Sequence, residues 1–190
     1  MNLQQGTEAW HAFRRTRVGA SDAVIIAGLS PWMTKYQLWC EKLGLIEPQP
    51  INSSMQRGMI LEPVARRCYE KMTGIDVVPT IRVSKEFPWC FASLDGISLD
   101  EKTIVEIKCT NKKNHAMAKD GKIPPYYMPQ VQHQIYVCGL DSCDYFSYDG
   151  SSGILVTVPR DDAYISRLIE MEKEFYNCMI TFMEPSRMAS

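Results

Sequence analysis

Residues 90–99 and 103–109 are two runs of strand-forming residues separated only by Asp100-Glu101-Lys102. A connection of that length and polarity is a hairpin turn, so the two runs are expected to pair antiparallel as neighbours in one sheet. The first run carries Asp95 and the second carries Glu106. With the turn at 100–102, these positions lie nearly opposite each other, and Lys108 shares the face of Glu106 because side chains two apart on a strand project the same way. Ile107 points into the core. Two carboxylates and a lysine set among Ile104, Val105 and Ile107 are costly to desolvate unless a cation and a substrate share the site with them.

The rest of the chain supplies layers for that sheet. Before the hairpin the period is helical: residues 7–15 form a short helix that turns Trp10 and Phe13 inward and runs into a turn at Val18-Gly19-Ala20. Ser21 or Asp22 is expected to cap a second helix over 23–28, and Thr34 a third that passes Leu38, Trp39 and Leu43 to Gly44. Residues 55–73 place Ile60, Leu61, Val64, Ala65, Cys68, Tyr69 and Met72 at helical spacing, with Gly74 as the stop. Pro63 inside that span predicts a kink or a restart near Glu62. A strand over 77–83 precedes the hairpin. After it come a helix over 126–138, strands near 144–148 and 153–158, and a long helix over 161–183. The expectation is an α/β fold, a central mixed β-sheet flanked by helices, with residues 1–190 forming one domain.

Composition narrows the chemistry. A net charge of -1 excludes a molecule that is basic all over, so any surface for a polyanion must be local. Arg14, Arg15 and Arg17 form one such stretch, and Lys108, Lys112, Lys113, Lys119 and Lys122 another. The 7 cysteines are odd in number and none lies in a C-x-x-C pair, which suits structural thiols and argues against an iron-sulfur cluster. No basic-then-apolar leader opens the chain, and no apolar run approaches the roughly 18 to 20 residues of a bilayer span. A cytoplasmic location without membrane contact is therefore expected.

Hydrolysis of a phosphodiester requires neutralised phosphate charge, hydroxide near neutral pH and a stabilised leaving oxygen. Carboxylates that hold hard cations meet all three needs, and a lysine beside them can orient or deprotonate the water. Glu62, on the helix before the hairpin, can bring a further carboxylate. Arg14 and Ser21 flank the turn into the second helix, where free backbone N–H groups and a hydroxyl make a phosphate cradle. In Gln130-Val131-Gln132, Gln132 is the candidate for a terminal phosphate or a base edge. His115 and His133 have no partner at metal-ligand spacing and read as ordinary residues.

Five segments occur in order: Arg14 to Ser21-Asp22, Gly58 to Glu62-Pro63, Ser93-Leu94-Asp95-Gly96, Glu106-Ile107-Lys108 and Gln130-Val131-Gln132. Together they resemble the lambda exonuclease family, the YqaJ-like viral recombinases, within the PD-(D/E)xK nucleases. The resemblance implies a restriction-endonuclease-like core. It implies Mg²⁺, as two ions with Mn²⁺ as an alternative, held by Asp95, Glu106 and the carbonyl of Ile107. Lys108 would work on the nucleophilic water and Glu62 would be the helix acid of the site. Arg14, Ser21, Ser93 and Gln132 would seat a 5′-phosphate. Members digest one strand of double-stranded DNA from its 5′ end and leave a 3′ overhang for a single-strand annealing protein. Several are ring-shaped homotrimers, and Met59 or Ile60 would be the wedge that splits the duplex. Such a chain is phage- or prophage-encoded and acts in the bacterial host. The alternatives are an endonuclease of the same fold and a catalytically silent DNA-binding module.

Overall fold

The computed structural model describes residues 6–186. In chain order the elements are α1 (Glu8–Arg15), β1 (Val18–Gly19), α2 (Ala20–Ile26), α3 (Lys35–Leu43), α4 (Ser53–Thr73), β2 (Val77–Val83), β3 (Cys90–Ser98), β4 (Ile104–Cys109), α5 (Lys112–Lys119), a 3-10 turn (Pro125–Tyr127), α6 (Met128–Cys138), β5 (Ser142–Tyr148), β6 (Gly153–Pro159) and α7 (Asp162–Thr181). Side-chain caps fix many of the helix starts. Thr7, Thr34, Asn52, Asn111 and Asp161 each accept a backbone N–H from the first turn of their helix, which satisfies a donor that would otherwise be unpaired. Gly44 and Gly74 end α3 and α4 in the left-handed conformation, where a β-carbon would be strained.

The sheet is mixed. β3 is antiparallel to β2 and β4, β4 is parallel to β5, and β5 is antiparallel to β6. The short β1 is parallel to β3. Phe91 pairs with Gly19 of β1 and Val83 of β2, while Ile97 pairs with Ile104 of β4 and Val78 of β2. β1 and β4 therefore occupy the same edge of β3 in succession, opposite β2. Among the described residues no strand pairs with that edge beside Ala92 to Asp95. The sheet has a gap there.

A second irregularity coincides with the gap. Between Val78 and Thr80 on β2, the partners on β3 run from Ile97 to Leu94, three steps against two. β3 thus carries a β-bulge at Asp95-Gly96, which re-aims the side chains around it. Helices cover both faces. Val105 and Ile107 of β4 pack with Ala65 and Tyr69 of α4, whereas Ile104 packs with Val131 and Ile135 of α6. Alternation along β4 accordingly sends Glu106 toward α6.

The structure corrects two expectations about elements and adds a helix. α2 begins at Ala20 with Gly19 as its cap, and Asp22 sits one turn in, taking the Gly19 N–H at 2.8 Å. α4 runs through Pro63 without a restart. The lysine stretch after β4, to which the sequence reading assigns no element, contains α5, which buries His115 and Ala118 three residues apart. All 7 cysteines are free thiols. No helix of the described residues is long and apolar enough to cross a membrane.

Candidate active site

A cleft of about 240 Å³ opens at the gap, lined by Trp10, Arg14, Gly19, Ala20, Ser21, Glu62, Phe91, Ser93, Asp95, Glu106, Ile107, Lys108 and Gln130. One wall comes from α1, β1 and the start of α2. The other comes from β4, with α4 and α6 behind it.

Asp95 projects from the bulge toward β4, and its Oδ2 accepts the Ile107 N–H at 2.8 Å. The carboxylate thus occupies the place a strand carbonyl would take in a continuous ladder. Among the described residues its Oδ1 accepts no hydrogen bond. Burial, then the charges of Glu106 and Glu62, push the Asp95 carboxyl well above the usual carboxylate range. Behind it, Arg66 donates from Nε to the Asp95 carbonyl at 2.8 Å and pairs with Glu62 one turn earlier on α4.

Glu106 is almost fully buried, at 1% exposure, and both its oxygens are engaged. Gln130 donates to Oε1 at 2.7 Å, and Gln134, one turn along α6, donates to Oε2. Lys108 Nζ lies 2.6 Å from Oε1 and 4.7 Å from the centre of the Tyr127 ring. Burial opposes the charge of Lys108, but Glu106, Tyr127 and Asp95 hold it above the ordinary lysine range. Three carboxylates, Asp95, Glu106 and Glu62, therefore converge with one lysine at the cleft floor. An excess of negative charge on oxygen donors fits a hard divalent cation.

The opposite wall is built from α1 outward. Arg14 lies over the Trp10 ring, 4.5 Å from its centre, and donates to Ser21 Oγ at 3.1 Å. Trp10 Nε1 reaches Ser93 Oγ at 3.3 Å, which ties the helix to β3. Beneath them Lys42 is buried. Its ammonium donates to the carbonyls of Arg14 and Arg17, at 2.9 and 2.8 Å, and to Asp22 Oδ2. Burial raises the Asp22 carboxyl, but Lys42 and Arg14 outweigh it and leave the group below its usual range. This ion pair joins the end of α1, the start of α2 and the inner face of α3.

The cleft gathers eight of the nine candidate residues: Asp95, Glu106, Ile107, Lys108, Glu62, Arg14, Ser21 and Ser93. Gln132 is elsewhere. It donates to the Pro159 carbonyl at 2.8 Å and accepts the Asp161 N–H at 3.0 Å, so it fastens the turn between β6 and α7. Gln130 is the glutamine that faces the cleft. His133 also departs from expectation, because the fold brings buried Cys90 and Glu172 to it. Glu172 meets Nδ1 at 2.8 Å, whereas Cys90 lies 3.6 Å from Nε2 on the far side of the ring. Donors on opposite ring nitrogens do not converge on one ion, and the Phe91 carbonyl already takes Nε2 at 2.8 Å. The arrangement is a buried ion pair. His115 holds α5 to β5 through Ser147 Oγ at 3.0 Å. Sequence reasoning missed Trp10, Gln134, Asp22 and Lys42 as parts of the site. A signal existed for Lys42, which falls one helical turn after Leu38 on the apolar face of α3.

A mixed sheet broken at one edge, with an acid at the break and an acid and a lysine on the next strand, defines the restriction-endonuclease-like nuclease fold. Residues 9–141 match the YqaJ-like viral recombinase domain, and the chain belongs to that family. It is 31% identical over 185 residues to the uncharacterized protein YqaJ of Bacillus subtilis, a match covering 93% of this chain and 57% of that protein. Protein D345L of African swine fever virus, strain Badajoz 1971 Vero-adapted, is 30% identical over 159 residues, covering 68% of this chain and 45% of that protein. The chain thus spans about half the length of these curated relatives. Its fold is similar to the crystal structure of an alkaline exonuclease, LHK-Exo, from Laribacter hongkongensis, with a TM-score of 0.79 and 30% identity over 94% of this chain and 95% of that one. That exonuclease has also been crystallised in complex with dAMP.

Proposed function

We propose that the chain is a Mg²⁺-dependent exonuclease that resects linear double-stranded DNA from its 5′ ends and leaves 3′ single-strand overhangs for recombination by annealing. The observation that carries this reading is the meeting of Asp95, Glu106 and Lys108 across the gap from Arg14, Ser21 and Ser93. The similarity to an alkaline exonuclease over nearly the whole chain supports it, as does the capture of a nucleoside 5′-monophosphate by that protein.

Asp95, Glu106 and the Ile107 carbonyl would hold the metal, as one or two ions. Bound there, a divalent ion supplies charge neutralisation on the phosphate and a water acidified toward neutral pH. Lys108 orients that water and stabilises charge on the phosphate, with Glu106 and the Tyr127 ring fixing its ammonium. Glu62 supports the acids from α4. Arg14, Ser21 and Ser93 seat the terminal phosphate, and Gln130 both holds Glu106 and closes the cleft floor. Assembly as a ring-shaped homotrimer would retain a duplex on a chain of net charge -1, because topology then adds to counterion release. Met59 and Ile60, 63% and 73% exposed on α4, are the wedge candidates. A single-strand annealing protein is the expected partner, in the cytoplasm of a host bacterium.

Linear duplex labelled at either the 5′ or the 3′ terminus, digested with and without Mg²⁺, tests reaction, polarity and metal together. Early release of the 5′ label only with metal is expected, with closed circles left intact. Asp95→Ala and Lys108→Ala should lower release by at least about a hundredfold; wild-type rates in either variant would remove the mechanism, and cut circles would indicate an endonuclease. Arg14→Ala should slow digestion of 5′-phosphorylated ends more than that of 5′-hydroxyl ends.

A further inference from the structure

A series of aromatic rings leads out of the cleft from Lys108. Its ammonium lies 4.7 Å from the centre of the Tyr127 ring. Tyr127 is 4.4 Å from Tyr126, and Tyr126 meets Trp32 at 5.5 Å with the rings at 89°. Trp32 stands at the open end and is 60% exposed. An exposed indole offers a partner a large rigid face when its neighbours are ordered. Here they are. Pro31 stiffens the loop, and Ser30 Oγ accepts the N–H groups of Trp32 and Met33, both at 3.2 Å. Because Tyr126 packs edge to face against Trp32, one ring of the pair is held in place by the other.

The surroundings of the rings indicate what they meet. Asn114 donates to the Tyr126 hydroxyl at 2.7 Å, which docks the start of α5 against the series. α5 carries Lys112 and Lys113 in its first turn, both exposed. A ring series that ends in an exposed indole, meets the lysine-bearing start of α5 through Tyr126 and reaches Lys108 in the cleft has the two components that recognise a single strand: a π face for the base and charge for the backbone. A paired and stacked base offers no free face. We infer that Trp32, backed by Tyr126, is a stacking platform for an unpaired nucleobase of the DNA strand that enters the cleft. The inference rests on the proposed DNA-processing reading and adds a subsite to it.

The test is equilibrium binding by the full chain, with Ca²⁺ replacing Mg²⁺. One DNA is a 5′-phosphorylated duplex with a short unpaired 5′ end; the other is the same molecule with abasic residues at the unpaired positions. Trp32→Ala should weaken binding of the base-bearing DNA roughly tenfold, as loss of one stacked base implies. Trp32→Phe should keep most of the affinity, and all three proteins should bind the abasic DNA alike. The tryptophan emission change of the wild type should be larger with the base-bearing DNA than with the abasic DNA, and that difference should vanish in Trp32→Phe, which keeps Trp10 in the cleft. Wild-type affinity in Trp32→Ala, or equal losses on both DNAs, would overturn the platform. Should Trp32→Ala fail to fold, the wild type still decides: equal affinities and no emission difference between the two DNAs refute stacking. A wild type that binds neither DNA would instead refute the underlying DNA-processing reading.

Discussion

Glu106 shows how far a single carboxylate can be constrained. Gln130 and Gln134 present amide donors from successive turns of one helix, and Lys108 closes on the same group from two residues along the strand. Removing a donor to a buried carboxylate costs about 1 to 3 kcal/mol, and here it would also free the group to rotate. Gln134→Leu is therefore expected to weaken Mn²⁺ binding about tenfold by isothermal titration and to lower thermal stability as well. Unchanged metal affinity would show that α6 does not set the position of Glu106. Asp95, Glu106 and Lys108 were legible because strand alternation and a short turn leave little freedom. The glutamine was not. Two residues turn a helix by about 200°, so Gln130 and Gln132 face opposite ways. Only the packing of α6 against β4 decides which one meets the acids. Trp10 was visible as an inward aromatic, but nothing local indicates that its indole N–H bonds Ser93.

The hairpin was read correctly as a pair of strands, yet its working part is the irregularity. Gly96 follows Asp95 at the bulge, and a β-carbon there would lie 2.7 Å from both Val105 Cγ1 and Val77 Cγ2. The two valines belong to the strands on either side, so neither can move aside without disturbing the sheet. Gly96→Ala should lower stability by about 1 to 3 kcal/mol, measured as an earlier urea midpoint, and should shift the neighbouring Asp95. An unchanged midpoint would mean that β3 relaxes freely at the bulge. Composition gives no warning of it, because residues 90–98 form an unbroken strand-like run and the extra residue emerges only against the count on β2. α5 escaped notice for a related reason. Its lysines read only as a basic stretch, and its buried face is narrow, carried chiefly by His115 and Ala118.

At the scale of the whole molecule, two buried ion pairs tie the layers together. Asp22 and Lys42 join α2 to α3, while His133 and Glu172 join α6 to α7. Burial disfavours a charged His133, but Cys90 and Glu172 outweigh it and raise the imidazole well above 6.5. Folding thus increases proton affinity at this site. The contribution to stability is complete below about pH 6.5 and is lost as pH rises through the elevated folded value. Melting temperature should accordingly fall on the alkaline side, and Glu172→Gln should flatten that slope while costing about 3 to 5 kcal/mol at neutral pH. A slope identical in the variant would assign the alkaline loss to other groups. No sequence pattern announces this pair, since its partners are 39 positions apart and meet only once α7 crosses α6.

If the chain is the exonuclease proposed above, the gap along β3 has a consequence for product size. Gly19 is fixed opposite Phe91, and the first acid stands four positions further along the same strand. At about 3.3 Å per residue, that strand would set the distance between the arginine-serine wall and the acidic wall. Because side chains alternate, only a change of two residues between Phe91 and Asp95 would alter that distance and still leave Asp95 on the same face of the strand. The length of each excised fragment would then be written in backbone spacing, not in the identity of the cutting residues.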